Sequence, residues 1–156
     1  MVRVGRGTQS TVMMADNRCF VDTNVLLAAT DRTREHHKEA LDFLDEGMAG
    51  RLSLYVNGQV LREYLVVATR PSAANGLGME TTDAVANLRQ FRKCLSLLAE
   101  NGETASLLAD LVDRHALRGK RIHDANLVAT MRRNGLRRLK TFNPDDFRPF
   151  ADVRTE

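Results

Sequence analysis

Tryptophan is absent from this 156-residue chain, and aromatic residues make up only 5% of it. Aliphatic side chains must therefore supply most of the packing, and a base-stacking platform, which needs several exposed aromatics, is disfavoured. Two cysteines, Cys19 and Cys94, form neither a disulfide framework nor a metal-binding spacing. Both lie in apolar runs, CFV and CLSLL, which predicts buried free thiols. No apolar run is long enough to span a bilayer and no secretory h-region is present. The expectation is a protein of the reducing cytoplasm with no membrane partner. Repeats and linkers are missing too, and the length suits one domain with a single core.

What is present is ordinary in amount and uneven in placement. Apolar residues at 43% and charged residues at 28% fit a globular protein. The net charge is +3 and the pI about 9.2. Arg118, Lys120 and Arg121 form one basic cluster; Arg132, Arg133, Arg137, Arg138 and Lys140 form another. Charge alone leaves two readings open, solvated helix faces or a surface for a polyanion.

Residues 1–17 lack periodicity and are rich in Gly, Ser and Thr, which reads as a flexible extension before a domain at 18–156. CFV reads as a first strand, 24–30 as a short helix, and 34–48 as an amphipathic helix. Ala40, Leu41, Phe43 and Leu44 face inward in that helix, and Gly47 and Gly50 close it. Residues 52–56 alternate as a second strand. Asn57 caps a helix that runs to about Thr69 and stops before Pro71. After a Gly-rich loop, 81–92 is a helix capped by Thr82, and CLSLL a third strand. Residues 103–115 and 123–134 are helices, the first with Leu107, Leu108, Leu111 and Val112 on one face. Residues 138–142 are a strand, and a short edge strand is expected at 151–153. Strands alternating with helices predict an α/β fold, a parallel sheet covered on both faces.

In such a sheet, functional groups gather beyond the carboxyl ends of the strands. Asp22 ends the first strand, Glu63 lies in the helix after the second, Asp124 starts the helix HDANLVAT, and Asp145 and Asp146 follow the strand RLKTF. Each has a local structural explanation: a helix cap for Asp22 or Asn24, a surface face for Glu63, a helix N-terminus for Asp124, a capping box for Asp146. Together they point further. Carboxylates gathered at one place repel unless a cation neutralises them. Without Cys or His at ligand spacing, the suitable cation is Mg²⁺ or Mn²⁺ rather than Zn²⁺. Such a site can activate water and stabilise a phosphodiester during hydrolysis, with the basic clusters holding the backbone.

The motifs FVDTNVLL, REYLVV, HDANLVAT and LKTFNPDDFRPF, in that order, resemble the PIN-domain ribonucleases, especially the VapC-type toxins of bacterial toxin–antitoxin systems. The resemblance covers about residues 19–150. It implies a three-layer α/β/α sandwich with a central parallel sheet and Mg²⁺-dependent cleavage of RNA. By motif position it implies Asp22, Glu63, Asp124 and Asp146 as catalytic residues, with Asp22, Asp124 and Asp146 on the metal. Thr23, Asn24, Thr141 and Asn143 fall on supporting polar positions. It also implies a homodimer and an inhibitory antitoxin. Asn143 is not acidic, so the fourth acid is Asp146 or Asp145. With Asn143 as a helix cap, Asp146 would point back towards the strand end and Asp145 would meet solvent. A non-catalytic PIN-like module that binds RNA or protein is the alternative. A haloacid-dehalogenase phosphatase would want a second Asp where Asn24 stands.

Overall fold

Cys19, Phe20 and Val21 are all fully buried, so successive side chains find apolar cover on both faces of their strand. That is the signature of a central strand in a parallel sheet. The computed structural model describes residues 16–156, and residues 1–15, most of the expected extension, lie outside them. The carbonyls of Asp16 and Asn17 already bond to the domain, accepting from Arg138 Nη1 at 2.5 Å and from the Ser53 amide at 3.0 Å.

The chain runs β1 (Arg18–Val21), α1 (Thr23–Thr30), α2 (His37–Met48), β2 (Ser53–Asn57), α3 (Gly58–Thr69) and α4 (Thr81–Phe91). It continues through β3 (Leu95–Leu98), α5 (Gly102–His115), α6 (Arg121–Arg133), β4 (Arg138–Lys140) and β5 (Arg154–Thr155). The sheet has the order β3-β2-β1-β4-β5, every pair parallel. From β1 the chain steps outward to β2 and β3, then returns to place β4 on the other side of β1. Right-handed crossovers therefore put α1 to α4 on one face and α5 and α6 on the other. α1 contacts α2 and α3, and α5 packs along α6. The result is the expected three-layer α/β/α sandwich, and the reversal of strand order between β1 and β4 makes a crevice at their carboxyl ends.

Several boundaries differ from the sequence reading, each for a local reason. α2 starts at His37, because the Asp31 carboxylate accepts from the Thr33 amide and hydroxyl and holds 31–34 as a turn. Leu41 is 40% exposed rather than inward, while Ala40 and Leu44 are buried. Gly47 does not end the helix; a Cβ there would lie 2.4 Å from Leu54 Cδ1, so glycine lets α2 close onto β2. The left-handed residue after that helix is Gly50, at φ +75°. Thr82 is not a cap, since α4 opens at Thr81 after an uncapped Glu80. α5 starts at Gly102, where Asn101 and Thr104 form a reciprocal capping box. The edge strand lies at Arg154–Thr155, because Phe147 and Phe150 bury themselves and carry 151–153 as a turn.

Asn57 behaves as read, accepting from the Val60 amide at 3.1 Å. Its amide also reaches Thr130 Oγ1 at 3.0 Å, tying α3 to α6. Burial pushes the Cys19 thiol up to about 12, and Cys94 is half-buried. Among the described residues no helix is long and apolar enough to cross a membrane.

Candidate active site

At the β1/β4 crevice lies a cavity of about 370 Å³. Asp22, Glu63, Asp124 and Asp146 line it together, with Asn143 at its rim. Leu27, Val66, Val67 and Arg70 line it as well. The four acids come from four parts of the chain that only the parallel topology brings together.

Asp22 caps α1, its Oδ1 accepting from the Thr23 amide at 2.7 Å. Its other oxygen accepts from Thr141 Oγ1 at 2.7 Å and from Asn24 Nδ2 at 3.1 Å. Asn24 Oδ1 in turn accepts from the Phe142 amide at 3.1 Å, so residues after β4 bond to the start of α1 instead of extending the strand. That is why β4 stops at Lys140 rather than running to Phe142. Capping and site geometry are the same bond here, so the two explanations for Asp22 do not compete.

Glu63 is fixed just as firmly. Its Oε2 accepts from Thr23 Oγ1 at 2.9 Å and its Oε1 from Gln59 Nε2 at 2.8 Å. Gln59 is buried, and it also donates to the His123 carbonyl at 3.2 Å and accepts from Asn126 Nδ2 at 2.7 Å. Each end of the Gln59 amide therefore has a fixed partner, which sets its orientation. Neither Gln59, which precedes REYLVV, nor Asn126, which lies within HDANLVAT, is singled out by the sequence reading. The signal available was spacing: Gln59 lies four residues before Glu63, on one helix face.

Asp124 and Asp146 are held differently. α6 begins at Arg121 rather than His123, so Asp124 is the fourth helical residue and not a cap. Arg121 Nη2 donates to the Asp146 carbonyl at 3.2 Å, docking the turn Pro144–Phe147 onto α6. The expected capping box does not form: Asn143 makes no side-chain cap, and the Asp146 amide donates to the Asn143 carbonyl at 3.2 Å. The turn is 3-10, which brings Asp146 into the cavity without that box. Asp145 does point outward, paired with Arg148 at 2.8 Å.

Crowding shows in the acidities. Burial first, then the neighbouring Glu63 and Asp146 charges, raise Asp22 to about 6, against the opposing bonds from Thr141 and Thr23. Burial and then the Asp146, Asp22 and Glu63 charges raise Asp124 to about 6, with Arg121 opposing. Among the described residues no three His, Cys, Asp or Glu side chains are already arranged to hold an ion. The donors are nonetheless all hard oxygens, and Mg²⁺ keeps several waters and needs only one or two protein carboxylates. An open carboxylate cavity fits that demand; a closed zinc site would not look like this.

A PIN-domain family model matches residues 19–153. This chain belongs to the PIN-domain family. Ribonuclease VapC48 of Mycobacterium tuberculosis is 30% identical over 135 residues, 85% of this chain and 92% of that protein. Ribonuclease VapC24 of the same organism is 30% identical over 136 residues, 86% and 92% respectively. Among solved structures, M. tuberculosis VapC20, a sarcin–ricin loop-cleaving toxin, superposes with a TM-score of 0.64 at 20% identity, covering 87% of this chain and 98% of that one. VapBC2 from Rickettsia felis, bound to a DNA fragment from its promoter, gives 0.65 at 14%, covering 89% and 97%. At those identities the structural likeness establishes the PIN fold, with its parallel sheet.

Proposed function

We propose that this PIN-domain protein is a Mg²⁺-dependent endoribonuclease, the toxin of a VapBC-type pair. The observation that carries the reading is the convergence of Asp22, Glu63, Asp124 and Asp146 on one cavity at the strand-order reversal. The names of its relatives, ribonucleases and toxin–antitoxin complexes, support the substrate class and an antitoxin partner. A homodimer is part of the same reading.

Asp22, Asp124 and Asp146 would hold the ion; Mn²⁺ would serve in its place. When bound, Mg²⁺ supplies Lewis-acid stabilisation of the phosphodiester and neutralises the crowded carboxylates. Thr141, Asn24 and the Thr23 amide keep Asp22 in one orientation, so little reorganisation precedes chemistry. Glu63, anchored through both oxygens, keeps lone pairs free to accept a proton from, or orient, the attacking water. Asn143 at the rim adds a neutral acceptor and donor, and Arg70 a cation for the backbone.

The test is cleavage of RNA with Mg²⁺ or Mn²⁺ and with EDTA, in the native protein and in Asp22→Asn and Asp124→Asn, with folding checked by circular dichroism. Cleavage should vanish in EDTA and in both variants. Unchanged cleavage in either setting overturns the reading.

A further inference from the structure

A second cavity, of about 380 Å³, opens on the far side of Asn24 and Asn143, which line both spaces. Arg34, Glu35, His36 and Phe142 supply its remaining functional lining. The His36 ring lies flat on Phe142, centroids 4.3 Å apart and planes 9° from parallel. Phe142 itself is locked to the acidic site, since its amide donates to Asn24 Oδ1. Lys140 Nζ stands 5.2 Å from the same ring centroid, and Glu39 bonds both Lys140 and His36, which ties the stacked pair together. The His36 side chain keeps 42% of its surface in solvent. Arg34 has one ion-pair partner among the described residues, Asp31 at 3.4 Å, which leaves other guanidinium donors for a ligand.

Each component suits a nucleoside next to a phosphate better than a bare anion. A flat, partly exposed ring pair extends naturally by one more aromatic layer. Glu35 would repel a lone phosphate but accepts from a base amino group. Arg34 serves the neighbouring backbone. The space is of small-ligand size. The acidic cavity's own apolar lining is aliphatic, Leu27, Val66 and Val67, with no ring to stack on. A scarcity of aromatics argues against a long platform but allows one base.

We infer that this second cavity is a subsite for one nucleoside flanking the scissile phosphate of single-stranded RNA, its base stacked on His36. The inference rests on the ribonuclease reading of the adjacent acids. His36 is then a specificity-determining residue, and Asn24 and Asn143 form the wall between base and reaction centre.

The experiment uses a short fluorescent RNA that the full-length protein cleaves, with its cut site mapped, and two matched RNAs carrying an abasic residue on the 5′ or the 3′ side of the cut. Binding is read by fluorescence anisotropy in EDTA, where cleavage is not needed. One of the two abasic RNAs should bind the native protein about tenfold more weakly, within the range of base–aromatic stacking. His36→Ala should bind intact RNA equally weakly and lose nothing more on base removal, whereas His36→Phe should keep native discrimination. With the intact RNA and Mg²⁺, His36→Ala should raise KM and leave kcat within about twofold, as loss of uniform binding requires. Equal abasic penalties in native protein and His36→Ala, or a His36→Phe as weak as His36→Ala, overturn the subsite. Native cleavage indifferent to both flanking bases removes the subsite and leaves the ribonuclease reading standing. A native protein that neither binds nor cuts RNA overturns both.

Discussion

Two halves of the acidic cavity are built on opposite plans. On the β1/α3 side, Asp22 and Glu63 each have both oxygens engaged by hydroxyls or amides from this chain. On the α6 side, the Asp124 and Asp146 carboxylates accept no hydrogen bond among the described residues; Arg121 reaches only the Asp146 carbonyl. One half is fixed before any ligand arrives and the other is left to be satisfied by one. Preorganised donors stabilise a transition state without moving, whereas a carboxylate without such donors keeps both oxygens free to meet a cation. The clamped half should therefore set geometry, and the free half should set the affinity for the ion.

The largest effects should come from removing a charge on either side. Asp22→Asn, Asp124→Asn and Asp146→Asn should each cut the cleavage rate by more than the ~10–100-fold that changes outside the ligand shell cost. The halves separate in metal titrations. Asp124→Asn should shift the Mg²⁺ dependence furthest, while Glu63→Gln should lower kcat at saturating Mg²⁺. Reversal of those two signatures breaks the division.

One step smaller are the clamps. Gln59→Leu leaves the Asn126 amide with Glu100 alone, removes the side-chain donor to the His123 carbonyl and frees one Glu63 oxygen. Thr141→Val removes the shortest side-chain bond to Asp22. Each should lower kcat about 10–100-fold with a smaller change in the Mg²⁺ midpoint. A Gln59→Leu protein that cleaves at the native rate would show that Thr23 alone suffices to hold Glu63.

How much of this was legible in the sequence follows the same division. Periodicity and the α/β alternation locate Asp22 after CFV and the pair Asp145–Asp146 after RLKTF; they do not choose within that pair, and the capping box expected to favour Asp146 does not form. Of their clamps, Thr23, Asn24 and Thr141 were legible only through the family resemblance, and Gln59 and Asn126 were not singled out, because the Asn126–Gln59 bond that orients the Gln59 amide joins α6 to α3 across the fold. The Thr141–Asp22 bond spans 119 residues. Boundaries failed where a side chain competed with the backbone. Asp31 delays α2, and Asn24 ends β4 early. Leu41 failed differently: its place on the helical stripe is apolar, but no element covers it.

Stability should report the crowding of charge at Asp124, beside a contribution of the same sign from Asp22. The Asp124 carboxyl is raised to about 6 in the folded protein against an ordinary value near 3.8. The folded state therefore binds that proton more tightly than the unfolded chain between those values, and stability falls as pH rises through the window. In EDTA the native protein should melt lower at pH 7.5 than at pH 5. Asp124→Asn should remove part of that slope and raise stability at pH 7.5 by on the order of 1 kcal/mol, after allowing for solvent screening. Added Mg²⁺ should raise the native melting temperature and leave that of Asp124→Asn nearly unmoved. A variant that melts lower than native in EDTA at pH 7.5 would mean that Asp124 is not under charge strain.

The smallest expected effect falls on Asp145, beside the residue with one of the largest. Its side chain is 75% exposed and meets Arg148, which is as exposed, in a surface pair worth about 0–1 kcal/mol. Asp146, one residue on, lines the cavity because the 3-10 turn from Pro144 to Phe147 rotates adjacent residues well apart, and Phe147, 2% exposed, anchors it inward. Asp145→Asn should leave cleavage, Mg²⁺ dependence and melting within experimental error of native. Asp146→Asn should lose cleavage while keeping its melting temperature in EDTA, since its carboxylate caps nothing. Measured side by side, the pair tests the turn itself. If Asp145→Asn is the more damaging to cleavage, Pro144–Phe147 is rotated from the position described. If Asp146→Asn lowers melting and spares the rate, its carboxylate belongs to the fold, and the free half of the site reduces to Asp124.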